Sequence, residues 1–441
     1  MSGLRPGPAL GPLLIVGALL GGVCELLGFS GGGVALAWLL ALGAAVAVVL
    51  LRGLAAPPTD VELLGPPAIV HARPARFRLR VHPAARQLTR LTLIPRWSEA
   101  LEGSPDSVRL VLAPGQVVEV PVDLVPRTRG RHALGAIDVW SDDPLRLVSL
   151  RTVWDRTGSV EVHPATAARG GRRARRLRGR GRHAVRRTGA GADFAALRPY
   201  VPGDDPRAIH WPTTARLGRP VVRRFAEEHA QQVVIAVDCS RRMAAADGPR
   251  HTRLDRAVEA AVALAAVASD REDRVGAVAF SHRVHRATLP GRAGTGSVAR
   301  ILFDLQPDDH EPDYAELFRT LRDQLRRRTL VVLLTDPQDA APGAGRLELA
   351  LPLVRERHLV VCAAVGEQAL RTLAGRGPRS EPVDDALALH SRAAALELLG
   401  RRAHSLARLR AAGAVVVDAD AGELQQALLG GYSSVKAMGA L

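Results

Sequence analysis

Residues 233–240 read VVIAVDCS, five apolar residues running into an acid, a cysteine and a serine. An apolar run of this length without alternation is a strand buried on both faces, the kind that a parallel sheet covered by helices contains. The same pattern recurs outward from it. The stretch 252–269, TRLDRAVEAAVALAAVAS, repeats apolar residues at helical spacing, and DRVGAVAFS (273–281) is again a strand. GSVARILFDL (296–305) and PDYAELFRTLRDQLRRR (312–328) read as helices, TLVVLLTD (329–336) and HLVVCAAVG (358–366) as strands with a helical stretch around 345–356 between them. A long helix over 384–413, the strand AVVVDAD (414–420) and a helix from 421 to 432 complete the pattern. Strands alternating with helices predict a doubly wound α/β domain over 233–441, with any ligand at the carboxyl ends of the strands.

Two of those strands end in acids: Asp238, with Ser240 two residues on, and Asp336, preceded by Thr335. Oxygen ligands at a sheet edge suit a hard cation such as Mg²⁺. The spacing resembles the metal-ion-dependent adhesion site of the von Willebrand factor A-type fold, an Asp-x-Ser-x-Ser strand end joined by a later Thr and a later Asp. The resemblance implies metal ligands at Asp238, Ser240 and Asp336, with Thr295 in GRAGTGS as the candidate Thr. Arg242 stands where the second Ser belongs. Its guanidinium offers a second reading, a buried salt bridge to Asp238 or Asp336 in place of a cation.

The N-terminal quarter of the chain is of a different kind. From Ala9 to Cys24 only Pro12 and glycines interrupt an apolar run, and 34–51 is uncharged throughout. The second run spans about 27 Å as a helix, close to the bilayer core. Residues 1–55 therefore read as a transmembrane helical hairpin with both ends cytoplasmic, since Arg5 and Arg52 flank it. The rival reading is a cleaved signal ending at Cys24, against which stands Val23, where lipoprotein processing wants a small residue.

Residues 59–162 hold short alternating stretches such as RFRLRVH and TRLTLIP between Pro, Gly, Asp and Ser, which predicts a β-sandwich-like domain. Residues 169–187, RGGRRARRLRGRGRHAVRR, contain ten arginines and cannot form a core. The span 163–188 reads as a linker, and Arg172, Arg173, Arg175, Arg176 and Arg178 within it as contacts for an anionic partner, nucleic acid or lipid headgroups. The net charge of +16 agrees, although Arg and Ala abundance also follows from GC-rich coding. The three cysteines are scattered, and no CxxC or His/Cys cluster appears in the sequence, which argues against zinc and disulfides alike.

Between linker and α/β domain, residues 189–232 include RPYVPGDDPRAIHWPTTAR (198–216). Pro202 to Pro206 is a turn in which Pro fixes φ, Gly203 supplies freedom and Asp caps the next segment. Arg198, Arg207 and Arg216 are within reach of Asp204 and Asp205, while Tyr200, Ile209 and Trp211 are expected to anchor the loop by burying apolar area. This is either a structural clasp or a protein-docking surface. With Asp193, Phe194, Leu197 and Ala215, these residues resemble the signature of the bacterial domain-of-unknown-function family 58, with His210, Pro212 and Thr214 departing from it. That resemblance implies a MoxR-type AAA+ ATPase, or its client, as partner. The expected function is a membrane-anchored, non-enzymatic adaptor in protein assembly. A nucleic-acid- or lipid-binding protein acting through the arginine run is the alternative, and a metal-dependent phosphoester hydrolase using Asp238 and Asp336 the third. No P-loop and no nucleophile-and-His pattern supports an enzyme.

Overall fold

The computed structural model describes residues 3–55, 59–82, 89–143, 145–155, 157–165, 188–202, 204, 209–226, 231–292, 294–337, 347–366, 368–375 and 386–438, with the side chains of 52–55, 188–198 and 223–226 excepted. The arginine run 169–187 and Gly203, Asp205 and Arg207 lie outside the described residues, as does the side chain of Arg198. The chain forms two compact units, Met1–Ala165 and Thr166–Leu441.

The first unit opens with a strand, β1 (Gly3–Pro6), whose four residues are too few to show a period in the sequence. Helices α1 (Leu10–Leu26) and α2 (Gly31–Ala55) follow. They approach closely because α1 presents glycines to α2. A Cβ on Gly17 would lie 2.2 Å from the Trp38 ring, and one on Gly21 would lie 3.1 Å from the Ala35 methyl. Small residues four apart let helix backbones come together in this way. Trp38 Nε1 then donates to Leu13 O at 2.9 Å. Within α2, Gly31–Leu51 is long and apolar enough to cross a membrane, while α1 is a shorter apolar helix.

Among the described residues, eleven further strands build the sandwich of this unit: β2 (Asp60–Leu64), β3 (Ala68–Val70), β4 (Ala75–His82), β5 (Thr89–Trp97), β6 (Leu101–Ser104), β7 (Val108–Leu112), β8 (Val118–Pro126), β9 (Gly130–Ala133), β10 (Gly135–Asp142), β11 (Val148–Trp154) and β12 (Ser159–His163). They form sheets of order β1-β11-β10-β5-β7, β2-β4-β8-β6 and β3-β12-β9. The alternation legible in the sequence sets the faces. Phe77, Leu79 and Val81 of β4 point into the core with Leu91 and Leu93 of β5 and Val122 and Leu124 of β8. The intervening Arg76, Arg78 and Arg80 face water and meet Asp123 and Glu119 across the strands.

The second unit begins with a two-stranded ribbon, β13 (Thr188–Pro199) and β14 (Val221–Ala226), with α3 (Trp211–Leu217) between them. Next come β15 (Gln232–Asp238), α4 (Arg253–Asp270), β16 (Arg274–Phe280), β17 (Val284–Gly291), α5 (Gly294–Leu302), α6 (Tyr314–Gln324), β18 (Thr329–Thr335), α7 (Leu347–Ala350), α8 (Pro352–Arg355), β19 (Leu359–Gly366), α9 (Gln368–Leu373), α10 (Ala386–Ala411), β20 (Val415–Asp420) and α11 (Leu424–Ala437). The sheet order is β17-β16-β15-β18-β19-β20, parallel except for β17. Successive residues of β15 enter opposite cores. Val233, Ile235 and Val237 pack under α4, α5 and α11, while Val234 and Ala236 pack against residues of α6, α7, α8 and α10. Helices on both faces explain why the strand shows no alternation in sequence. Burial of so many Val, Leu and Ala side chains, at about 25 cal/mol per Å², supplies the main stabilisation of this unit.

Candidate functional site

In the second unit's sheet, β15 lies between β16 and β18, so the strand order reverses at β15, the position where sheets of this kind hold ligands at their carboxyl ends. Asp238 closes β15 at that point and is fully buried. Its Oδ1 accepts a hydrogen bond from Ser240 N at 2.8 Å, and its Oδ2 accepts one from Thr335 Oγ1 at 2.5 Å. Thr335 is 2.9 Å from the Tyr314 hydroxyl, which extends the chain of polar groups toward α6. Burial pushes the Asp238 carboxyl up to about 6, against the hydrogen bonds that favour its charge. The Ser240 hydroxyl is buried and makes no hydrogen bond of good geometry among the described residues.

One residue beyond β18, Asp336 is held from two sides. Arg402 of α10 donates to its Oδ1 at 2.7 Å, and Arg253, the first residue of α4, donates to its Oδ2. Arg402 also reaches Asp418 at 2.8 Å. Burial pushes the Asp336 carboxyl up, and the charges of Arg253 and Arg402 oppose it. Arg242 donates to Glu311 at 2.6 Å, where Arg241 joins it, and its charge still acts on Asp238 and Asp336.

This arrangement does not fit the Mg²⁺ site that the adhesion-type resemblance implies. A divalent cation here needs free carboxylate and hydroxyl oxygens. Both Asp336 oxygens face buried guanidiniums, and a dication beside them would meet two like charges in a low dielectric. Thr295 is not at this edge at all. It starts α5, and its hydroxyl donates to Ala265 O and contacts Ser269, near the far end of α4. Arg253, at the near end, is sixteen residues earlier, about 24 Å along the helix. The hydroxyl beside Asp238 is instead that of Thr335. Of the expected set, Asp238 and Ser240 come together, Asp336 follows on the adjacent strand, and Thr295 is excluded by topology. Cys239 gives no nucleophile: its thiol donates to Phe280 O at 3.2 Å, and burial beside Asp238 pushes it up to about 12.

The segment around Trp211 is ordered by backbone bonds. Tyr200 N donates to Pro220 O at 3.0 Å and His210 N to Val221 O at 2.8 Å. Asp204 closes its own turn, accepting from Val201 N at 3.0 Å. His210 caps α3 by accepting from Thr213 N, Gly218 ends the helix with φ +64°, and Thr214 Oγ1 accepts from Val221 N at 3.1 Å. Val221 and Val222 are buried beneath. The expectation that Trp211 anchors the loop is corrected here. The ring is 67% exposed, because caps and main-chain bonds already fasten the segment. Val201 and Leu217 are exposed with it, and so is Arg216.

A third cluster was hidden by its spacing. Where the sequence shows no His/Cys cluster, the fold brings His282, His285 and His310 onto Asp308. The run SHRVHR (281–286), two histidines three apart beside DDH (308–310), was the available signal. The polar, charged start of β17, which carries His285, gives no strand signal in the sequence.

Residues 196–386 match the family model described as "Protein of unknown function DUF58", less than half of the chain. Uncharacterised proteins of Mycobacterium bovis and of two Mycobacterium tuberculosis strains are each 29% identical over 153 residues, 34% of this chain and 48% of their own length. The match thus spans about half the length of these curated relatives. Among solved structures, a von Willebrand factor type A protein from Catenulispora acidiphila is similar at 17% identity, over 49% of this chain and 44% of that one, with a TM-score of 0.28. The CARDB domain of a Pyrococcus furiosus protein is similar at 14% identity over 24% of this chain and 93% of its own, with a TM-score of 0.16. The homologues carry no assigned activity, and the resemblance to family 58 is matched by that model from Leu197 to Arg216, with Asp193 and Phe194 lying ahead of the matched span.

Proposed function

We propose that the chain is a membrane-anchored, non-enzymatic adaptor whose second unit binds a partner protein through the surface around Trp211. The observation that carries this reading is the exposed Trp211 ring on a segment whose backbone is capped and bonded at both ends. An exposed Trp on a rigid scaffold is the residue type that dominates binding energy, since little conformational entropy is lost when it is covered. Val201 and Leu217 add apolar area in the same segment.

The partner proposed is a MoxR-type AAA+ ATPase or its client, on the strength of the family resemblance. In this reading α1 and α2 both cross the cytoplasmic membrane and the bulk of the chain lies in the cytoplasm. The apolar length of Gly31–Leu51 and the glycine-mediated packing of α1 on α2 support that arrangement. The buried network of Asp238, Thr335, Asp336, Arg253 and Arg402 serves to fix the sheet edge and performs no chemistry.

The test is nuclease-treated affinity capture from native membranes with the full chain and with Trp211→Ala. An AAA+ ATPase recovered with the parent chain and lost with the variant supports the proposal. Equal recovery by both, with the variant folded, removes Trp211 from the interface.

A further inference from the structure

The imidazole cluster stands beside the Asp238–Arg242 turn without being part of the acid network. Its position is fixed by main-chain bonds. Asp308 N donates to Cys239 O at 2.6 Å, Arg241 N to His310 O at 3.0 Å, and Asp313 N to Ser281 O at 2.8 Å. The fold therefore sets where the side chains start before any of them touch. One carboxylate then meets three imidazoles. His310 Nδ1 is 2.8 Å from Asp308 Oδ1, while His282 Nδ1 and His285 Nε2 are 3.2 and 3.1 Å from Oδ2.

One donor atom from each of His282, Asp308 and His310 lies within 4.8 Å of the others. Ligands about 2.0–2.1 Å from a tetrahedral ion are about 3.3 Å apart, so small side-chain shifts suffice to enclose one. His310 is 59% exposed and His282 39%, which leaves a path from solvent. Two imidazoles and a carboxylate suit Zn²⁺ and its neighbours better than Mg²⁺ or Ca²⁺, which favour all-oxygen sets.

We propose that His282, Asp308 and His310 bind a transition-metal ion of the Zn²⁺ class, with His285 steadying the carboxylate and water completing the coordination. The ion ties the β16–β17 turn to the loop ahead of α6. That loop covers the Asp238–Arg242 turn, so the metal fastens the carboxyl edge of the sheet. This inference stands apart from the adaptor reading and does not need it.

The experiment uses the full chain in mild detergent, free of a histidine tag and stripped with chelator, titrated with ZnCl₂ by calorimetry and followed by thermal unfolding. Binding of one ion per chain, with a rise in Tm, is expected. His282→Gln and His310→Gln keep polarity and size and are each expected to weaken binding by about 100-fold, and His285→Gln by about 10-fold. Asp238→Asn leaves binding unchanged. Equal zinc binding by the parent chain and a folded His282→Gln/His310→Gln variant overturns the proposal, as does no binding by the parent chain or loss of binding in Asp238→Asn.

Discussion

Asp238→Asn is expected to stabilise the second unit at neutral pH. The carboxyl is fully buried, and burial raises it to about 6 from an ordinary 3.8. Folding at pH 7.5 must therefore hold an ion where a neutral group is preferred. The difference corresponds to about 3 kcal/mol as an upper value. Asn fits the same contacts. Its oxygen accepts from Ser240 N, and its amide donates to Thr335 Oγ1, whose own proton turns to the Tyr314 hydroxyl. Because the folded-state value lies above the unfolded one, the penalty is complete above pH 6 and shrinks as the pH falls toward 3.8. At pH 4.5 about 1 kcal/mol of it remains. The assay is thermal unfolding of the detergent-solubilised chain and its variant at pH 7.5 and 4.5. At about 2–4 °C per kcal/mol, the variant gains up to about 6–12 °C at pH 7.5 and much less at pH 4.5. A variant less stable at pH 7.5, or a gap that does not close in acid, would show that Asp238 is held as an anion by a positive partner. A larger stabilisation of the parent chain than of the variant by Mg²⁺ would identify that partner as a cation.

Arg402→Ala should destabilise the second unit by about 3 kcal/mol, since it leaves Asp336 and Asp418 short of a buried partner; urea unfolding followed by intrinsic fluorescence measures this, and a loss under 1 kcal/mol refutes the network's role. Tyr432→Phe removes the hydroxyl that α11 donates to the buried Asp273, which keeps Lys436 at 2.8 Å; about 2 kcal/mol is the expected cost, with faster hydrogen exchange in α11. Binding to single-stranded DNA, if it runs through the arginines of 169–187, should fall by about 10³-fold or more between 50 and 200 mM salt and vanish on deletion of that segment; a shallow salt dependence removes nucleic acid as the partner.

The doubly wound half was legible because strands such as Val233–Val237 and Leu330–Leu334 are buried on both faces, and such runs alternating with helices mark a parallel sheet covered by helices. The sandwich was legible through alternation, as in Phe77, Leu79 and Val81. Pairings set by topology were not. Arg253 and Arg402 reach Asp336 from 83 and 66 residues away in sequence, and nothing local marks either as its partner. The imidazoles on Asp308 come from two segments, 282–285 and 310, with α5 between them, and the polar VHRAT start of β17 hid that strand. Thr295, the candidate that the adhesion-type resemblance offered, sits at the wrong end of α4. Trp211 was expected to anchor the loop because a large aromatic side chain gains most by burying its apolar area. Here the cap from His210 and the bond from Val221 to Thr214 do the fastening, and the ring is left outside.

The most direct test of the adaptor account places a photo-crosslinking amino acid at position 211 of the full chain and irradiates native membranes. The account predicts one dominant adduct, to an AAA+ ATPase or to a protein that co-purifies with it, absent when the crosslinker is moved to the buried position 222. Adducts only to lipid, to nucleic acid or to another copy of the chain would contradict it.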